Sequence, residues 1–162
     1  MDPLSLTASI IAVISAARAL TLGLNKLGSV RGASALLDSV KEEVSSLCAV
    51  LGQVEHGITH LGIFSSFSSE ELSRSAQEPG QLLQSILHNA QQKLLQLRQI
   101  VDSCLKDASN GEAPKVRKLL WLRRQSQIEQ LQKEVSDIRI NLIIALTALN
   151  LWVTSYYPLF LF

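Results

Sequence analysis

The sequence predicts an all-α protein, an antiparallel four-helix bundle with long helices, and three observations carry that expectation. Twenty-nine Leu among 162 residues, against eight Gly and four Pro, favour long uninterrupted helices over turn-rich strands. Three stretches repeat apolar residues at alternating spacings of three and four, the seam of a helix packed on its neighbours. Pro and Gly fall between these stretches and seldom within them. At this length one domain with its own core is expected, spanning residues 1–152, with 153–162 as an apolar tail.

The first helix runs from a start at Asp2-Pro3 to about Lys26, where Gly28 and Gly32 bracket a turn. Its apolar residues, from Leu4 and Leu6 through Ile10, Ile11, Val13 and Ile14 to Leu20, are spread around the helix and do not form one stripe. Such a helix is either central in a core or able to enter lipid. A secretion signal is disfavoured because the only charge before Arg18 is acidic. As a membrane span the uncharged run Pro3 to Ala17 falls short, rising about 22 Å against roughly 30 Å of hydrocarbon.

The second helix carries the seam Leu37, Val40, Val44, Leu47, Leu51, Val54, Ile58 and Leu61. A Ser-rich stretch from Ile63 to Gly80 follows, and it reads as an exposed loop with room for a short helical turn, with Pro79 at the start of the next helix. The third seam is Leu83, Leu87, Ala90, Leu94, Leu97, Val101 and Cys104. Asn110-Gly111 marks a turn, and the fourth seam is Ile128, Leu131, Val135, Ile138, Leu142, Ala145, Leu149 and Trp152. Burying each large seam residue contributes roughly 1.5–3 kcal/mol before chain entropy, so four packed helices suffice where one or two do not.

Composition and motifs exclude several functions. Fifteen basic and fourteen acidic residues are not the balance of a nucleic-acid binder. No phosphate-cradling Gly loop, nucleophile elbow or HExxH occurs, so no enzyme, cofactor or small-molecule substrate is expected. His56 and His60 are one helical turn apart beside Glu55, yet lack a third ligand, and His88 reads as surface. Cys48 and Cys104 read as small buried hydrophobes of a reducing cytosol, without disulfide or zinc spacing.

Two surfaces remain as candidates. Lys115, Arg117, Lys118, Arg123 and Arg124 interleave with Leu119, Leu120, Trp121 and Leu122 and contain no acid. That segment suits an anionic membrane surface, with Trp121 at the interface; the reading preferred over it is that Leu119, Leu120 and Trp121 cap the bundle core while the charges are solvated. Ile140 to Phe162 is uncharged and could span about 35 Å, a tail-anchor candidate, although the fourth seam continues in register through it and Pro158 would disturb a helix.

The opening MDPLSLTASIIAVISAA, the stretch SALLDSVKEEVSSLCAVLGQV and the closing WLRRQSQIEQLQKEVSDIRINLIIALTAL together resemble the fungal N-terminal domain of STAND proteins. That family is also described as the azaphilone pigments biosynthesis cluster protein L N-terminal domain and is related to the HeLo-like domains. The resemblance extends from Met1 to about Leu149. It implies an α-helical signalling or effector module at the head of NOD-like receptors. In HeLo relatives the N-terminal helix is implicated in membrane attack during programmed cell death. Carried onto this chain, membrane insertion falls to Leu4, Leu6, Ile10, Ile11, Val13 and Ile14. The expected partners are helical proteins or a second copy, with an anionic membrane as a further surface, in the cytoplasm. The rival reading is an interaction scaffold that never touches lipid, with the first helix as its core helix.

Overall fold

The computed structural model describes residues 3–27, 34–60, 70–105 and 118–156. They form four helices, α1 (Pro3–Leu27), α2 (Ser34–His60), α3 (Glu70–Cys104) and α4 (Lys118–Tyr156), in an antiparallel bundle whose successive members reverse direction.

Cross-helix partners fix the arrangement. Gln84 of α3 donates to Ser5 Oγ at 3.3 Å, and Val101 of α3 lies against Gly23, so α1 and α3 run the same way side by side. Gln132 donates to Ser39 at 2.6 Å and Arg139 to Glu43 at 2.6 Å, which places α2 and α4 parallel in the same manner. Lys93 of α3 meets Glu134 of α4 at 2.7 Å, and Cys104 at the end of α3 lies within electrostatic reach of Arg124 near the start of α4, so these two run antiparallel. Around the bundle the order is therefore α1, α2, α4, α3. Among the described residues α1 touches α2 and α3 but not α4, and α2 does not touch α3. Consecutive in the chain, α2 and α3 stand on a diagonal.

The core is apolar throughout; no polar or charged side chain is buried among the described residues. Every seam position predicted for α2 from Leu37 to Val54, for α3 from Leu83 to Cys104 and for α4 from Ile128 to Ala145 is buried. Ile58 and Leu149 lie in helices, with side chains outside the description, as does that of Trp152; Leu61 lies outside the described residues.

Three expectations are corrected. The apolar residues of α1 do surround it, but only one row of them is packed: Leu6, Ile10, Val13, Ala17, Leu20, Leu24 and Leu27 are buried, while Ile11 and Leu22 face out with Ala8, Ser15 and Arg18. The outward residues are mostly apolar or small, so the sequence shows little contrast between the faces. α1 is also a corner of the bundle and not its centre. Second, α3 begins at Glu70, so Pro79 sits inside a helix of 35 residues. Proline removes one backbone donor there, and the turns on either side remain helical. Third, α1 is long and apolar enough to cross a bilayer by length and composition, from Ser5 to Leu27, because the apolar run resumes beyond Arg18 with Ala19, Leu20, Leu22 and Leu24.

Hydroxyls within the apolar helices are satisfied locally. Ser9 donates to the Ser5 carbonyl and Thr21 to the Ala17 carbonyl, both at 3.0 Å, and Thr147 donates to the Ile143 carbonyl at 2.8 Å. At the end of α3, the Leu105 amide donates to the Asp102 carbonyl at 3.1 Å and the Ser103 hydroxyl to the Ile100 carbonyl at 2.6 Å, occupying carbonyls the last turn leaves open.

Candidate functional site

The residues the sequence nominates for membrane insertion divide between the two faces of α1. Leu6, Ile10 and Val13 are in the core, at 1%, 0% and 0% exposure. Ile14 is half-buried against the core, and Ile11 is exposed. Leu4 belongs to the first turn of α1, with its side chain outside the description. Leu22, which sequence reasoning did not single out, extends the outward face at 65% exposure. Its spacing from Ile11, three helical turns, was the available signal. Any entry of α1 into lipid must therefore withdraw its buried stripe from α2 and α3.

The basic segment is split by the start of α4. Lys115 and Arg117 lie outside the described residues, and Lys118 opens the helix with its side chain outside the description. Arg123 and Arg124 are exposed, Arg124 donating to Gln127 at 2.7 Å. Trp121 corrects the expectation of an interfacial aromatic: at 5% exposure it is part of the core. The cause is register, since Trp121 precedes Ile128 by seven residues and shares its inward face. Leu119 and Leu122, on either side, are exposed at 77% and 63%. The segment thus combines a core cap with an outward apolar and basic surface.

The tail-anchor candidate overlaps the bundle. Its first part supplies Leu142 and Ala145 to the core, α4 continues to Tyr156, and residues 157–162 lie outside the described residues. The same part exposes Ile140, Ile143 and Ile144.

Among the described residues, reactive groups do not converge. No cluster of three potential metal ligands occurs among the described residues. His56 is exposed, and the His60 side chain is outside the description. An open groove of about 430 Å³ beside the start of α1 is lined by Ser9, Gln81, Gln84, Ser85, His88 and Gln91. It offers amides and hydroxyls with one imidazole, and that imidazole lies 3.2 Å from the Gln92 amide. Such a lining hydrogen-bonds solvent or a polar chain but presents neither a carboxylate nor an activated nucleophile.

Burial raises both thiols above the usual cysteine range. Desolvation dominates at each; Arg18 partly offsets it at Cys48, and the Ser103 hydroxyl and Arg124 do so at Cys104. Neither has the electropositive, exposed setting of a nucleophilic cysteine. Glu134 is held below the usual carboxylate range, chiefly by the bond from Lys93 and with help from Gln130, against desolvation.

No family model, no curated protein and no solved structure matches the chain.

Proposed function

We infer that the chain is a non-enzymatic signalling or effector module of the HeLo-like type, acting in the cytoplasm through helical surfaces. In this reading α1 is held in the bundle until it is released toward a membrane. The observation that carries the inference is the character of α1. Among the described residues it is the one helix that is long and apolar enough to cross a bilayer. It also occupies a corner with two neighbours, so its departure leaves the α2·α4 and α3·α4 contacts in place. The self-satisfied hydroxyls of Ser9 and Thr21 lower the cost of placing it in hydrocarbon. Arg18, already on the outward face, is the principal opposing charge, at about 2.5–3.5 kcal/mol if centred in the bilayer.

The test uses substitutions that spare the folded bundle. Ile11→Asp and Leu22→Asp change exposed positions, so the helical circular dichroism should persist, while each carboxylate opposes entry into lipid. Leakage from anionic liposomes should fall at least tenfold in the double variant; equal leakage removes α1 as the agent.

A scaffold reading is favoured by a different observation, the near-zero exposure of Leu6, Ile10, Val13 and Leu20. If α1 never leaves, the protein releases no liposome contents under any condition, and deleting residues 1–20 abolishes the helical signal.

A further inference from the structure

α4 carries a second heptad stripe opposite its buried one. The buried stripe contains Trp121, Ile128, Val135 and Leu142. The outward one runs Leu119, Leu122, Ser126, Glu129, Lys133, Ser136, Ile140 and Ile143, again at alternating spacings of three and four. All eight are exposed except Ser136, which is half-buried. Read from either end, the order is two aliphatics, a serine, a charge, a charge of opposite sign, a serine and two aliphatics.

The geometry points to a second copy of this chain as the occupant of that face, packed two-fold with the two α4 helices antiparallel. In an antiparallel pair each layer joins positions equidistant from the centre of symmetry. Centred on Leu131, Leu119 meets Ile143 of the second copy and Leu122 meets its Ile140. Ser126 then meets Ser136 of the second copy, Glu129 meets its Lys133, and every layer occurs twice. Arg123 and Asp137, which flank the stripe on one side, oppose each other across the same interface with complementary charge.

The alternatives are worse for the same residues. Sliding by one heptad sets Glu129 against Ile140, and a parallel pairing stacks Glu129 on Glu129 and Lys133 on Lys133. A bilayer would take the aliphatic ends but would strand the charged centre between them, whereas a second copy satisfies both. Among the described residues α4 is a corner that touches α2 and α3 alone, with this stripe turned away from both. The contact Glu129 now makes is local, its Oε1 accepting from Gln125 of the same helix at 3.1 Å. This inference rests on α4 alone and stands apart from the role given to α1.

Sedimentation equilibrium of the full chain, with circular dichroism to verify folding, tests it. The wild type should dimerise, and Leu122→Glu with Ile140→Glu should leave a folded monomer. E129K and K133E should each weaken the dimer about tenfold, since each makes two like-charge contacts. An equimolar mixture of the E129K and K133E chains should dimerise more tightly than either alone, because only the mixed pair restores opposite charges in both layers. The inference is overturned by a monomeric wild type, by a dimer indifferent to both charge variants, or by a mixture no tighter than its components. A monomer that binds phosphatidylserine vesicles through Leu122 and Ile140 would assign the face to lipid and equally overturn it.

Discussion

Val101 stands where a side chain on Gly23 would have to go. A β-carbon at Gly23 would lie 2.9 Å from Val101 Cγ1, so α1 and α3 approach each other at a point that only glycine permits. Val101 is fully buried and belongs to the hydrophobic core, so it has little room to retreat.

Gly23→Ala should therefore destabilise the bundle by about 1–2 kcal/mol, overpacking outweighing the gain in helix propensity of about 1 kcal/mol. Gly52 is the internal control. Nothing lies within 4 Å of a β-carbon there, so Gly52→Ala should stabilise by about 0.5–1 kcal/mol. Urea denaturation of the two variants should move the midpoint in opposite directions; movement in the same direction would contradict the close approach.

Adjacent isoleucines in α1 should behave differently. Ile10→Ala empties part of the core and should cost about 2–5 kcal/mol, whereas Ile11→Ala alters an exposed position and should stay within about 0.5 kcal/mol. Equal costs would mean that the face of α1 turned to the bundle is other than described.

The Lys93–Glu134 pair makes part of the stability pH-dependent. Since the native-state value of Glu134 is lowered, its contribution is complete above the unfolded value of about 4.5 and fades as pH falls through the native value. Thermal melts should show Glu134→Gln less stable than wild type at neutral pH, with the gap closing as pH falls below the ordinary carboxylate range. A gap independent of pH would show that the pair does not contribute as an ion pair.

Thiol chemistry should be slow in the folded protein. Cys104 is fully buried and Cys48 half-buried, both with raised values. A thiol-reactive disulfide reagent at neutral pH should label Cys48 first and Cys104 only on unfolding, as read by mass spectrometry.

Much of this bundle was legible because α2, α3 and the middle of α4, from Ile128 to Ile138, set an apolar stripe against a polar background. Leu37 to Val54, Leu83 to Cys104 and Ile128 to Ala145 needed only their spacing. In α1 the contrast is missing, since Ile11 and Leu22 are as apolar as Ile10 and Leu20, and only packing distinguishes them. Pro79 misled for a physical reason: proline is favoured in a first turn, yet a long helix tolerates the loss of one backbone donor. Which helices become neighbours was not legible at all. Periodicity says that a face is buried, and it is silent on whether Gly23 meets Val101 or some other residue. For the candidate surfaces, the sequence nominated segments without their orientation, and Trp121 turned inward shows how one register step separates a core residue from an exposed one such as Leu122.

The diagonal step from α2 to α3 divides the molecule into two hairpins, α1 with α2 and α3 with α4, laid side by side with their axes matched. Each hairpin pairs helices consecutive in the chain, so its contacts are comparatively local, and the docking of the two halves becomes the later event in folding. That seam, crossed by Gly23 against Val101 and by Arg139 against Glu43, is where the kinetic barrier should reside and where the halves would exchange between molecules.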